Sequence, residues 1–355
     1  MAGTEVNNQG QAVRPGEELD WEALDETLKK AIPGLRGKPV VSQFPGGNSN
    51  LTYRLQYADD DLVVRRPPFG TKAGSAHSMI REYRIMSGLK PVYPAVPETL
   101  YYSDDASIIG SEFYVMRKVE GAVIRKVLPA QWQLDTADIR HLCTRFWEKL
   151  IELHQVDVAD AGLEDFGRAD GYVERQVLGW NGRYQRVATP DVDPFADVQD
   201  WLKAHRPVDS GRQSILHGDY RIDNVVLDHE RPHDILAVLD WEISALGDPL
   251  MDLGSSLAYW MQPDDPAELS SLSMQPSMVP GMLTRKEILA LYQDRTGIET
   301  GDFDFYLVFG YWRIAVILQQ IYYRYFNGQT SDQRFAGFGR AVQSLGMHCQ
   351  ELIAR

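Results

Sequence analysis

The chain is short of cysteine: Cys143 and Cys349 are the only two in 355 residues. Two thiols so far apart make neither a disulfide framework nor a metal-binding knuckle. Cys143 falls in an amphipathic run and reads as core. Both thiols fit a reducing compartment, so the expected location is cytoplasmic. Long hydrophobic runs are missing too. The longest candidate, 307–318, contains Arg313, so no membrane partner is expected. The N-terminus is polar and has no apolar signal-peptide region. Positive charge is scarce, with 36 Lys and Arg against 50 Asp and Glu and a formal net charge of −14. A nucleic-acid partner needs clustered cations and is excluded on that ground. The acidic side chains are not gathered in one segment, so the charge by itself defines no cation pocket. No internal repeat or low-complexity tract is present. Oligomeric state is not readable from these features.

What is there belongs to a chain with a core. Hydrophobic residues make up 44% and charged residues 24%, and the length allows two lobes. Residues 1–16 are small and polar and read as a disordered tail. Trp21, Leu24, Leu28 and Ile32 recur at helical spacing until Pro33-Gly34. Strand-like segments follow at 51–57, 62–64 and 113–116, with a helix at 78–89 between them. From about residue 130 the pattern turns helical. Ile139, Leu142, Cys143, Phe146, Leu150 and Ile151 form one apolar face. Further helices are expected at 171–187, 195–204, 285–295 and 303–326. The lobe break is expected between 117 and 121. The expected organisation is a β-rich lobe at 17–117 and a mostly helical lobe at 118–355, an α+β chain.

The densest chemistry lies in His217-Gly218-Asp219-Tyr220-Arg221-Ile222-Asp223-Asn224 and, after a strand, turn and second strand, Asp240-Trp241-Glu242. Residues 224–227 read as a buried strand, 228–234 as a turn around Pro232, and 235–239 as the returning strand. The hairpin brings Asp240 back beside Asn224. Asp219, Asn224 and Asp240 are thereby three oxygen-bearing side chains available for a proton or a metal. An Asp before a strand also caps turns, and a loop Asn also fills left-handed positions.

This pair of motifs resembles the catalytic loop and metal-binding turn of the protein-kinase-like fold. Gly218 and Trp241-Glu242 are similar to the aminoglycoside phosphotransferase and choline kinase branch rather than to the protein kinases. Within that branch, Gly47-Asn48-Ser49-Asn50-Leu51-Thr52-Tyr53, Val64-Arg65-Arg66-Pro67-Pro68 and His217-Gly218-Asp219-Tyr220-Arg221 resemble the phosphotransferase domain fused to some acyl-CoA dehydrogenases. The resemblance covers about 40–254 and implies a two-lobed kinase-like fold using ATP and Mg²⁺.

It also implies roles. Asp219 would accept or orient the acceptor hydroxyl's proton, and Arg221 would stabilise the transferring phosphoryl group, although Arg221 reads equally as an exposed loop residue. Asn224 and Asp240 would hold Mg²⁺. Gly46, Gly47, Ser49 and Asn50 would form the loop over the phosphates, although Gly46-Gly47-Asn48 alone is a plain hairpin turn. Arg65 stands where the family carries a phosphate-binding lysine, a departure that keeps charge and changes reach. Glu82 would pair with it, although a helical glutamate alone reads as a solvated residue. Tyr114, Val115 and Met116 would line the adenine region, or simply be strand core. Asp252, in Gly247-Asp248-Pro249-Leu250-Met251-Asp252, would support the catalytic loop.

The expected activity is transfer of the γ-phosphate to a small-molecule hydroxyl acceptor. The subgroup likeness points to a hydroxylated acyl or carboxylate metabolite. Aminoglycoside or choline-like amino-alcohol kinases and a non-catalytic nucleotide-binding scaffold stay open as alternatives.

Overall fold

The computed structural model describes residues 10–45, 50–70, 78–208 and 212–355. In chain order the elements are α1 (Trp21–Ala31), β1 (Val40–Gln43), β2 (Leu51–Gln56), β3 (Asp61–Arg66), α2 (Met79–Leu89), β4 (Thr99–Ser103), α3 (Ala106–Ile109) and β5 (Phe113–Arg117). Then come α4 (Thr136–His154), α5 (Tyr172–Arg186), α6 (Ala196–Ala204), β6 (Ser214–Leu216), β7 (Val225–Leu227), β8 (Ile235–Val238) and β9 (Ala245–Gly247). The chain ends with α7 (Pro249–Ala258), α8 (Ala267–Ser270), α9 (Arg285–Thr296), α10 (Asp304–Phe326) and α11 (Phe338–Ile353).

These elements form two compact units. The first takes the residues through Ile124 together with Ala159–Phe166 and Asn224–Ser244. The second takes Arg125–Val158, Gly167–Asp223 and Ala245–Arg355. The division thus falls at 124/125, not at 117/118, and two later stretches return to the first unit. Backbone pairing explains one return. Leu227 bridges to Ala122, and the Val238 amide donates to the Ala95 carbonyl at 2.8 Å. Gly121 permits the approach, because a Cβ there would lie 2.5 Å from the Leu227 carbonyl oxygen.

The first unit is built on one antiparallel sheet in the order β1-β2-β3-β5-β4. Asp20 caps α1 by accepting from the Ala23 amide. The helix lays Leu24 and Leu28 against Tyr53, Leu55, Leu62, Val64, Phe113 and Val115. α2 packs against β4 and β5 and buries Glu82, Ile85, Met86 and Leu89. Glu82 is only 1% exposed, so it is no solvated helix residue. Residues 10–16, expected to be disordered, make contacts: Gln11 pairs with Gln43, and the Arg14 amide donates to the Gln43 side chain at 2.9 Å.

The second unit is mainly helical, with one two-stranded antiparallel pair, β6 and β9. α10 packs on α7, α11 and α5. Every residue of α7 is buried. α7 and α10 touch through glycines, since a Cβ on Gly310 would lie 2.5 Å from the Gly254 carbonyl oxygen. Among the described residues, no helix is long and apolar enough to cross a membrane.

Candidate functional site

In the first unit, strand alternation sorts the side chains of β3. Leu62 and Val64 join the core under α1. Arg66 points the same way, is 2% exposed, and is satisfied by the Ile109 carbonyl at 2.8 Å and the Pro67 carbonyl at 3.0 Å. Val63 and Arg65 point to the other face. There they line a cavity of about 150 Å³ with Met116, Val226, Leu239 and Asp240. Much of its wall is apolar; Arg65 and Asp240 meet on one side, and Thr52, Arg117 and Lys118 add further polar groups.

Arg65 holds three carboxylates. Its guanidinium lies 3.4 Å from Glu82, 3.5 Å from Asp240 and 3.8 Å from Glu242. Glu82 also accepts from the Tyr114 hydroxyl at 2.8 Å and from the Asn50 side-chain amide at 3.0 Å. Burial pushes the Glu82 carboxyl above its ordinary range, and Arg65 and Tyr114 pull it back only in part. Burial works against the charge on Arg65, but Tyr114, Glu82, Asp240 and Glu242 outweigh it and hold the guanidinium protonated. Three carboxylates thus converge on one guanidinium, with Asp240 the most exposed of them.

Asp240 adopts a left-handed backbone, φ +66°. Asp tolerates that region better than most residues, yet it is sparsely populated and recurs at functional sites. Trp241 anchors the turn, donating its indole N–H to the Val238 carbonyl at 2.9 Å and meeting Tyr93 edge-on. The Leu239 amide donates to the Asn224 carbonyl at 2.7 Å, so Asn224 and Asp240 sit at one end of the β7–β8 hairpin. Their oxygens are the hard donors a magnesium ion takes. Among the described residues, no group of three or more His, Cys, Asp or Glu is placed to hold a metal by itself.

Several expectations need correction. Val115 faces the α1 core, because alternation along β5 turns it away from the cavity that Tyr114 and Met116 line. Asn50, expected to face phosphate, commits its side-chain amide to Glu82 and to Glu242 at 3.2 Å. Gly46, Gly47 and Ser49 lie outside the described residues. Glu242 was not singled out as a site residue. Its alternation with Asp240 after β8 was the available signal.

In the second unit, the loop after β6 is held from below. Asp252 on α7 accepts from the His217 amide at 2.7 Å and the Gly218 amide at 2.9 Å, the support role expected of it. His154 lies 3.2 Å from the same carboxylate and 2.9 Å from the Tyr292 hydroxyl. Burial opposes the charge on Asp252, but His154 and His217 prevail and hold its carboxyl below the usual range. Gly218, at φ +85°, supplies the bend. Arg221 lies 3.5 Å from Asp219 and 3.3 Å from Asp223, with its guanidinium over the Tyr259 ring at 5.1 Å. Burial pushes the Asp223 carboxyl up; Arg221 opposes the rise and Asp219 adds to it. Asp223 was not anticipated, although Asp219, Arg221 and Asp223 alternate. Tyr259, and Gln275, which accepts from the Ile222 amide at 2.8 Å, carry no local signal.

The model of the Phosphotransferase enzyme family matches residues 40–286. Acyl-CoA dehydrogenase family member 11 from Gallus gallus is 33% identical over 358 residues, covering 97% of this chain and 44% of that protein. The chain thus spans less than half the length of the curated relatives it matches. A crystal structure from Ralstonia eutropha, provisionally described as an aminoglycoside phosphotransferase, is 30% identical with a TM-score of 0.80, covering 94% of this chain and 98% of that one. The GDP complex of aminoglycoside 2'-phosphotransferase-IIIa, 14% identical with a TM-score of 0.60 over 93% of this chain and 99% of that one, shares the fold. The chain belongs to the Phosphotransferase enzyme family and has its kinase-like fold.

Proposed function

We propose that the chain transfers the γ-phosphate of ATP, with Mg²⁺, to a hydroxyl of a small molecule. The observation that carries this reading is Arg65, tied to Glu82 and Asp240 on the wall of a largely apolar cavity. The apolar wall suits a purine, and Arg65 supplies a fixed cation for phosphate oxygens. Met116 and Tyr114 would flank the base. Asn224 and Asp240 would hold Mg²⁺, which neutralises charge on the phosphates.

The acceptor oxygen forms a bond to the γ-phosphorus while the bond to the β,γ-bridging oxygen breaks, and ADP leaves. Asp219 takes the hydroxyl proton, late in a loose transition state that demands little early proton removal. Arg221 faces the developing charge on the transferred group. The acceptor is a hydroxylated acyl or carboxylate metabolite. The acyl-CoA dehydrogenase names of the long relatives support that choice. Aminoglycosides and choline-like amino alcohols are the alternative acceptors, and a non-catalytic nucleotide scaffold is the alternative to turnover.

Isothermal titration with ATP and Mg²⁺ tests the assignments. Asp240→Ala should abolish Mg²⁺-dependent binding. Asp219→Ala should bind normally and lose about 10²–10⁴-fold in turnover. Wild-type affinity in the Asp240 variant would refute the metal assignment. An ADP-release screen across aminoglycosides, choline-like amines, sugars and hydroxyacyl-CoA thioesters decides the acceptor. Selective turnover of an aminoglycoside would overturn the acyl reading. Tight ATP binding with no turnover of anything would favour the scaffold.

A further inference from the structure

Helices α5 and α10 carry cations that the reading above leaves unused. Arg313 on α10 is 8% exposed, and its guanidinium lies 5.3 Å from the centre of the Trp180 ring. Arg183, three residues after Trp180 on α5, lies 4.3 Å from the same ring. Among the described residues, neither arginine makes a hydrogen bond or an ion pair.

Among the described residues of the same unit, the arginines without a partner are otherwise exposed ones such as Arg186, Arg324 and Arg340, and several others are paired. Arg175 donates to the Arg168 and Asp170 carbonyls, Arg206 meets Glu174, Arg285 meets Asp265 at 2.6 Å, and Arg221 meets Asp219 and Asp223. A buried arginine with a purely structural role binds carbonyls, as Arg66 does in the first unit. Arg313 does not, in a chain whose net charge is −14. A cation–π contact stabilises a guanidinium only modestly beside a hydrogen-bonded ion pair and leaves its N–H donors unused. Like charge adds to this: partial desolvation lowers the basicity of Arg183, and Arg313 and Arg186 lower it further. Such a group is stable when an anion joins it.

Arg313 also shares an electrostatic neighbour with the catalytic loop. Arg313 acts electrostatically on the Tyr259 hydroxyl, and so do Asp219, Arg221 and Asp223. Tyr259 is the residue over which Arg221 sits. Arg313 and Asp219 therefore share a neighbour within one unit.

We propose that Arg313 and Arg183, stacked on Trp180, form a seat for an oxyanion carried by the phosphate acceptor, a carboxylate or phosphate group on the molecule whose hydroxyl meets Asp219. The assignment of that anion to the acceptor rests on the phosphotransferase reading; the seat itself does not. Two guanidinium planes offer paired N–H donors to such a group, and Trp180 fixes their orientation. A cationic aminoglycoside or choline would be repelled there.

Isothermal titration with four probes tests the seat: 3-hydroxybutanoate, glycerol 3-phosphate, neutral 1,3-butanediol and cationic choline. At least one of the two anions should bind the wild-type protein, and which one identifies the oxyanion. The diol and choline should bind far more weakly. Arg313→Lys keeps the charge and loses the fork; Arg183→Gln, on an exposed position, carries the test if the buried variant melts early. Each should weaken anion binding by about tenfold to a hundredfold, the worth of one charge-assisted bond, and leave ATP affinity unchanged. Absence of saturable anion binding at millimolar concentration, unchanged anion affinity in both variants, or preference for choline would overturn the seat. Failure of the phosphotransferase reading looks different. Arginine-dependent anion binding with no ADP release from any of the probes would keep the seat and remove the transfer.

Discussion

Arg65 is the residue on which the first unit's site turns. It reaches Glu82, Asp240 and Glu242, and its side chain is 13% exposed against 2% for Glu82. Removing it leaves Glu82 buried with only two neutral donors, Tyr114 and Asn50. An uncompensated buried charge costs roughly 3–5 kcal/mol, and those donors keep the loss below that. The pH dependence follows from the direction of the Glu82 shift. Its folded-state carboxyl lies above the unfolded value, so its contribution is present at low pH and is lost as pH rises through the folded value. Arg65→Ala removes a cation that lowers that value and so raises it further. The gap in melting temperature between wild type and Arg65→Ala should therefore widen from pH 5 to pH 7. A gap that is constant or narrows would mean that Glu82 and Arg65 are not coupled. The same variant should weaken ATP binding, and unchanged affinity would remove Arg65 as the phosphate clamp. The sequence identified Arg65 and Glu82 by position within motifs. It did not reveal Glu242 or the commitment of Asn50, because both depend on which side chains the hairpin and β2 bring within reach.

At the scale of elements, α7 and the loop after β6 act as one piece. Asp252 makes the joint, accepting two loop amides while facing His154. Its folded carboxyl lies below the unfolded value of about 3.9, so its stabilisation is present above that pH and is lost as pH falls through the folded value. Asp252→Asn should lower the melting temperature at pH 7 and converge on wild type as pH falls below about 4. An Asn variant whose deficit does not shrink with acid would show that the charge on Asp252 is not what holds the loop. Helix α10 rests on α7 by close backbone contact. Ala is favoured over Gly in a helix by roughly 0.8–1 kcal/mol, so an open site would gain stability from Gly310→Ala. Here the new Cβ would meet the Gly254 carbonyl oxygen at 2.5 Å and the Ala258 Cβ at 2.7 Å. The variant should instead lose about 1–3 kcal/mol in urea unfolding. A gain would mean that the two helices can separate without loss. The helices themselves were legible, since the apolar spacing over 139–151 and the boundaries near 171–187 and 303–326 are local signals. The glycine contact was not, because nothing near Gly310 in sequence announces Gly254.

For the whole molecule, the expected boundary near residue 117 and the observed division at 124/125 differ for a reason that sequence order hides. Tail and hinge positions are local, whereas the first unit is completed by two segments that return from well beyond its sheet in sequence. Val238 bonds to Ala95, Leu227 to Ala122, and Trp241 packs on Tyr93. Arg81 reaches the Phe166 carbonyl at 2.9 Å and the Ser244 carbonyl at 3.2 Å, one in each returning segment. A fragment of residues 10–124 retains the sheet and helices α1, α2 and α3. It lacks every partner just named and exposes Tyr93, Ala95 and Val96, all buried in the full chain. Such a fragment has the antiparallel sheet that permits local folding but not the apolar cover that makes folding cooperative. It should give broad, weak thermal transitions and bind 8-anilinonaphthalenesulfonate, as a loosely packed state does. Tethering residues 224–244 to its C-terminus through a flexible linker should restore a sharp transition. A sharp transition in the bare fragment would show that the sheet and its three helices suffice, and that the returning hairpin serves only to carry Asn224 and Asp240.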